Sequence, residues 1–295
     1  MTSSLTFRDA TLTSLARQEV SAYLHHKLYW VGAGLLLAVT VIGLLSPDAS
    51  WSVTGDGIAP AALLGVLGIS VMAGLVRNSD RAAEAAGAVS VDQGTRTLAL
   101  ACAVVVPLAT ALVWYVLAVV AYQLHPPEPQ TVPFGTMSDT FVLASMFAEG
   151  VPAAAGGPVL GLVIGRWWPR RWVAPVLSVV VVLTTMVMQP LFDWAASWRH
   201  VWVWIHFYGA GGTESDPDAA LRYSGSPYAY IGYLATLCVL GVLVALYRDP
   251  EADRAALRTR IAVVALVAAA LCLTAMLVGP DTTLVNPLPS SGATP

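Results

Sequence analysis

The hydrophobic positions of this chain fall into seven long uninterrupted runs separated by short polar segments. A helix needs about 20 apolar residues to cross a bilayer core, whereas a transmembrane β-barrel shows short segments of alternating polarity. The pattern therefore predicts an all-α integral membrane protein, a polytopic bundle of six or seven transmembrane helices occupying residues 28–278. The predicted spans are residues 28–45, 58–76, 98–122, 140–164, 173–191, 230–247 and 261–278.

A different periodicity precedes the first run. Between Leu12 and Leu24, apolar residues recur at spacings of three and four, with polar residues largely on the other face. This spacing predicts an amphipathic helix within residues 1–27 that lies along the membrane surface. The alternative is that the segment only leads into the first span. No small-residue cleavage site follows that span, so we expect it to be retained as an anchor.

The composition excludes a soluble globular protein, and the chain lacks one common nucleotide-binding motif. Of the 295 residues, 57% are hydrophobic and 11% are charged, against about 25% charged in soluble domains. Lys27 is the only lysine and follows His26, so the chain lacks the Gly-Lys step of a phosphate-binding loop. We expect no cofactor in this chain, and the net charge of −3 disfavours nucleic acid as a partner.

The distribution of basic residues predicts the orientation, because positively charged short loops stay in the cytoplasm. Thirteen of the 15 basic residues fall in the segments that share a side with the N-terminus, and only Arg199 and Arg222 fall on the other side. The prediction is a multi-pass protein of the plasma membrane with a cytoplasmic N-terminus. Residues 279–295 would then form an extracytoplasmic tail.

The longest predicted cytoplasmic connection runs from residue 77 to residue 97. Its segment 79–86 suits two helical turns, with Ser79 or Asp80 as the N-terminal cap and Gly87 as the stop. Such a helix would present charged side chains to the cytosol as a docking element. The alternative is a solvated turn with no partner.

Glu149 is the one ionisable residue inside the predicted spans. Burial of a carboxylate costs several kcal/mol unless it is paired, protonated or hydrated. We expect Glu149 to face the bundle interior or a water-filled vestibule. A structural hydrogen bond and a place on a conduction path are both open interpretations.

Glycine and proline concentrate in the fourth run. Pro152, Gly156 and Pro158 lie near its middle, and a G-x-x-x-G pattern extends from Gly157 through Gly161 to Gly165. Small residues at this spacing allow close helix packing, and prolines favour kinks. Packing alone accounts for the pattern, and a hinge or pathway wall is the sharper hypothesis. Pro107 and Pro190 are further candidate kink sites.

The segment between the fifth and sixth runs is rich in aromatic residues. Four tryptophans fall between Trp194 and Trp204, and indole rings favour the headgroup region. Residues 198–208 are therefore expected to lie in, or dip into, the outer leaflet. An aromatic belt without function is the alternative.

Hydrolytic and metal chemistry have little support. His200 and His206 are six residues apart and do not share a helical face, so no metal site is expected. The hydroxyls of Ser224 and Ser226 have no base in a neighbouring span. The cysteines all fall in predicted spans and are expected to act as packing residues: Cys102, Cys238 and Cys272.

Three segments resemble the permease subunits of the ABC-2 family of ATP-binding-cassette exporters. They are Tyr23-Leu24-His25-His26-Lys27 before the first span, Arg81-Ala82-Ala83-Glu84 with Thr95-Arg96-Thr97 before the third, and Gly161-Leu162-Val163-Ile164-Gly165-Arg166-Trp167-Trp168-Pro169-Arg170-Arg171 at the end of the fourth. The resemblance implies a subunit without its own ATPase. Two copies of a partner ATPase would bind ATP and Mg, and a second permease copy or a paralogue would complete the path.

The resemblance also assigns roles to particular residues. The inner loop would be the element that couples to the ATPase, and the fourth span with the outer end of the fifth would form the path or its gate. The coupling residues would be Asp80, Arg81, Glu84, Asp92 and Arg96, and the path or gate residues would be Glu149, Pro152, Gly156, Pro158, Gln189, Pro190 and Asp193.

Two other functions remain open at this stage. The chain could be a membrane scaffold or assembly factor without a path, or an intramembrane enzyme that acts on lipid or peptide. The cargo of a transporter is equally open, because apolar and aromatic walls suit lipids, hydrophobic peptides and drug-like compounds alike.

Overall fold

The computed structural model describes residues 2–45, 56–87, 91–124, 138–192, 220–223, 226–278 and 282–285. In this part of the chain the secondary structure is almost entirely helical. The α-helices are α1 (Thr2–Leu24), α2 (Lys27–Leu45), α3 (Val66–Ala86), α4 (Gln93–Cys102), α5 (Val105–Leu124), α6 (Asp139–Trp167), α7 (Val173–Phe192), α8 (Pro227–Leu246) and α9 (Arg254–Leu277). A 3-10 turn (Asp56–Ile58) and a π-helical turn (Ala61–Gly65) lead into α3.

The long helices confirm the predicted fold class, an all-α polytopic membrane bundle. Six stretches of the described residues are long and apolar enough to cross a membrane, and each coincides with a predicted span. They are Lys27–Leu45, Ala61–Ala85, Gln93–Leu124, Asp139–Trp167, Pro227–Leu246 and Arg254–Leu277. The remaining predicted span, residues 173–191, coincides with α7.

Helix α6 lies at the centre of the bundle, and glycine determines how closely it packs. Its most apolar stretch is 83% buried, compared with 11% in α9. A Cβ atom added to Gly157 would overlap the backbone of Gly65, and one added to Gly161 would overlap the backbone of Ile69. The G-x-x-x-G face therefore packs directly on the π-turn and α3, as close helix approach requires.

The third membrane-crossing segment is broken in two near a proline. Pro107 has no N–H to donate to the carbonyl of Ala103, which lies four residues earlier. Instead the Val106 N–H donates to Ala103 at 3.1 Å, and turn residues separate α4 from α5. Helix α6, by contrast, is continuous through Pro152 and Pro158.

The predicted cytoplasmic helix at residues 79–86 is not a separate element. Helix α3 runs without interruption from the span to Ala86, so the prediction that Ser79 or Asp80 caps a new helix is wrong. The alanine-rich segment that follows the span is a strong helix former and simply prolongs it. Gly87 does end the helix, with a φ of +66° that favours glycine.

A short β-ladder was not expected from the sequence. Strand β1 (Ala220–Tyr223) pairs antiparallel with β2 (Thr282–Val285), and Ala220 lies opposite Val285. The strands lie just before α8 and just after α9, so the ladder joins the flanking segments of these two neighbouring helices.

Candidate functional site at the arginine-rich end

The polar connections between helices gather at one end of the bundle. Residues 25–26, 168–172 and 247–253, together with residues 87, 91 and 92, lie between helices whose directions alternate, which places them at the same end. We call this the arginine-rich end, because most of the basic side chains of the described chain lie there. It contains every residue of the predicted coupling site.

The arginine-rich end is organised around the carboxylate of Asp80. Its Oδ1 atom accepts a hydrogen bond at 2.6 Å from Arg166 and another at 3.0 Å from Arg96. The Arg166 side chain is 1% exposed, whereas that of Asp80 is 35% exposed. One carboxylate thus ties α3 to α4 and α6, across a sequence separation of 86 residues in the second case.

Two further acidic residues, Glu19 and Asp249, belong to this ion cluster. Glu19 on α1 interacts with the guanidinium of Arg166 and is hydrogen-bonded to Ser79. Burial raises the pKa of the Glu19 carboxyl, although Arg166 and Ser79 oppose the rise. Asp249, after α8, is buried and also interacts with Arg166. The cluster therefore connects α1, α3, α4, α6 and the turn after α8.

Four of the five predicted coupling residues divide into two groups. Asp80 and Arg96 lie inside the ion cluster, where they hold helices together. Arg81 and Glu84 are exposed on the last turns of α3. The structure thus leaves Arg81 and Glu84 accessible to a partner, on a helix that is anchored by its neighbour Asp80.

Asp92 has a local structural role. It is the N-cap of α4: its Oδ2 accepts the Thr95 N–H at 2.9 Å, and its Oδ1 accepts the Thr95 hydroxyl at 2.8 Å. A capping carboxylate satisfies backbone donors that the first turn leaves unpaired. Asp92 therefore fixes the start of the helix that carries Arg96.

Glu149 lies deep in the bundle, and only 4% of the residue is exposed. It follows Asp139, the first residue of α6, by ten positions, which corresponds to a depth of about 15 Å along the helix. A Cβ atom added to Gly57 would overlap its Oε2 atom. The carboxyl is therefore packed against the 3-10 turn that precedes α3.

The other predicted path residues are placed as follows. Pro152, Gly156 and Pro158 are buried within α6. Gln189 and Pro190 belong to the last part of α7. Asp193 lies outside the described residues, as do residues 198–208.

The sequence analysis missed three members of the ion cluster: Arg166, Glu19 and Asp249. Arg166 was included in the family resemblance but given no role, and Glu19 and Asp249 were not singled out. A signal was present for Arg166, because it directly follows the G-x-x-x-G face and must therefore lie beside α3. No local pattern indicates that Asp80 is its partner.

Comparison of the chain with protein-family models, with curated proteins and with solved structures found no match. The functional interpretation therefore depends on the geometry of the residues themselves.

Proposed function

We propose that this chain is a permease subunit of an ATP-binding-cassette exporter and works with separate ATPase subunits. The observation that carries the proposal is the exposed tip of α3, which presents Arg81 and Glu84 beyond the membrane span. Asp80, next to Arg81, connects this tip to α4 and α6. A partner that pushes on the tip would therefore move the central helix.

In this mechanism the ATPase subunits supply the energy. They would bind ATP and Mg, and their closure would displace the tips of α3 in two permease copies or in the chain and a paralogue. A displacement can favour a second packed state only if the contacts of the two states differ in free energy. The ion cluster around Asp80 and the glycine contacts between α6 and α3 are the contacts that would change.

Glu149 is the residue at which such a movement would open a path. In the described conformation its carboxyl is packed against Gly57. Movement of α6 away from the 3-10 turn would expose the carboxyl to the centre of the assembly. Gln189, Pro190 and Asp193 remain proposed gate residues, and the cargo stays unassigned among apolar compounds.

The first test is co-purification of the chain with a nucleotide hydrolase in a mild detergent. The double variant Arg81→Ala plus Glu84→Ala is expected to lose partner binding and transport-stimulated ATPase activity by at least about tenfold. Both side chains are exposed, so folding should change by less than about 0.5 kcal/mol. The matched control is Glu251→Ala plus Arg254→Ala, which removes one exposed charge from the turn before α9 and one from the first residue of α9.

The outcomes separate the alternatives. Loss of ATPase coupling in the α3 variant but not in the control supports the proposal. Unchanged coupling in both variants contradicts the docking role of α3. Turnover of lipid or peptide by the chain without a partner would indicate an enzyme, and a stable complex with no nucleotide-dependent accessibility beside Glu149 would indicate a scaffold.

A further inference from the structure

A stripe of small and basic residues runs along α3 between two other helices. Ser70, Gly74, Arg77 and Arg81 are spaced by four, three and four residues and thus share one face. None of these four residues is buried. The stripe leads from the apolar part of the span to the arginine-rich end, and we call it the basic groove.

Helices α2 and α7 form the walls of the basic groove. Gly32 of α2 packs against Leu63 and Leu67, on one side of the stripe. The Ser178 hydroxyl of α7 donates to the Val66 carbonyl, and Ala174 packs with the Ile69 cluster on the other side. The outward faces of both walls are apolar and exposed, which is expected of surfaces that contact lipid chains.

Two hydrogen-bond donors converge at the polar end of this groove. The Nη2 atom of Arg77 and the Nε2 atom of His26 each lie 3.8 Å from the position that a Cβ atom would take on Gly74. His26 accepts the Leu28 N–H through Nδ1, and burial lowers the pKa of its imidazole. Because Nδ1 accepts this hydrogen bond, the ring proton is assigned to Nε2, which makes Nε2 a donor.

The charges around Arg77 are uncompensated. The charged groups that act on it are Arg81 and Arg171, both positive. In the described part of the chain, no carboxylate lies within ion-pair distance of these three arginines, and the nearby Asp80 is engaged by Arg96 and Arg166. Like charges gathered at one place repel each other unless an anion joins them.

The neighbouring residues place this cluster at the depth of lipid headgroups. Trp168 and Trp172 flank Arg170 and Arg171, and both tryptophan residues are 58% exposed. Exposed tryptophans at the end of a span mark the interface between lipid and water. A basic pocket between helices at this depth matches the headgroup of an anionic phospholipid.

We propose that the basic groove binds an anionic phospholipid. The headgroup phosphate accepts from Arg77 and His26 Nε2 and is neutralised by Arg81 and Arg171, and an acyl chain lies along α3 over Gly74 and Ser70. Gly74 is the residue above which the two donors lie, so a larger side chain at this position would enter the space that they share with the headgroup.

The test measures lipid binding to the purified full-length chain in mild detergent, by native mass spectrometry and by the thermal unfolding midpoint. Phosphatidylglycerol is expected to bind and stabilise more strongly than phosphatidylcholine. Arg77→Gln and Arg171→Gln should each weaken phosphatidylglycerol binding about fivefold, as expected for one basic residue near an anionic surface. The control Arg254→Gln removes the same charge from an exposed site at the start of α9 and should leave affinity unchanged.

A second variant tests the groove without changing its charge. Gly74→Leu should weaken phosphatidylglycerol binding although all arginines remain, while its unfolding midpoint without lipid shows whether the variant folds. Equal loss in Arg77→Gln and Arg254→Gln would indicate general surface attraction and overturn the proposal. Stabilisation by inorganic phosphate or glycerol phosphate equal to that by phosphatidylglycerol would assign the site to a soluble anion and overturn it too.

Discussion

Two buried charged residues lie on the same central helix, and their surroundings differ. Arg166, at the arginine-rich end of α6, is paired with Asp80 and surrounded by groups from four other segments. Glu149, 17 positions earlier, is packed against Gly57 in the middle of the bundle. The comparison indicates that Arg166, near the membrane surface, holds several helices together through its acidic partners. The deeper carboxyl of Glu149 is instead enclosed by the close approach of one backbone turn.

The largest effect is expected from removal of the Asp80 carboxylate. Asp80→Ala leaves the buried guanidinium of Arg166 without the carboxylate that it is hydrogen-bonded to, a change that costs about 3 kcal/mol, because Glu19 and Asp249 still compensate part of the charge. Thermal unfolding of the purified chain would measure this loss. Glu84→Ala, on the exposed side of the same helix, is the control and should stay within about 0.5 kcal/mol.

The double variant Asp80→Ala plus Arg166→Met refines this test. It removes both members of the hydrogen-bonded pair and should be more stable than Asp80→Ala alone, because the buried guanidinium is no longer left without the carboxylate that it contacts. A double variant that is as unstable as the sum of its single changes would show that the pair is not coupled.

In the turn that packs against Glu149, Gly57→Ala should lower the free energy of unfolding by about 1–3 kcal/mol. The new methyl group would overlap the carboxyl, and overpacking of a tight interior costs this much. Glu149→Ala should relieve most of the effect in the double variant. Gly34→Ala on α2 is the control, because a Cβ atom there meets nothing within 4 Å. If Gly57→Ala lowered the stability equally in the chain with Glu149 and in the chain with Glu149→Ala, the carboxyl would not be the cause of the loss.

The smallest change concerns the cap beside the ion cluster. Asp92→Ala should cost about 1 kcal/mol, since it removes the acceptor for the first turn of α4. Its neighbour Gln93→Ala serves as the control in the same unfolding measurement. A loss as large as that of Asp80→Ala would mean that Asp92 holds the cluster itself rather than one helix end.

The membrane-crossing helices were predictable because each apolar run is long enough to determine its own structure. The end of α3 at Gly87 was also predictable from one residue. The continuity of α3 past Asp80 was not, because capping residues and helix-interior residues share the same types, and the carboxylate of Asp80 pairs with arginines instead of capping.

The candidate site was predictable only in part. Arg81 and Glu84 are exposed, which local composition indicated. The partnership of Asp80 with Arg166 depends on the packing of α6 against α3, which brings together residues far apart in sequence. The same holds for Gly57 and Glu149, since no local sequence pattern near either residue indicates the other as its contact.

The break beside Pro107 gives the third span a joint. On the N-terminal side of the break, the ten residues of α4 are connected through Arg96 to the ion cluster. On the C-terminal side, α5 packs beside the central helix. A continuous helix would have to break a backbone hydrogen bond in order to bend, whereas this segment already lacks the one that Pro107 cannot donate. Helix α4 is thus held by the ion cluster and α5 by the central helix, so a movement of the cluster would bend the third span at this joint.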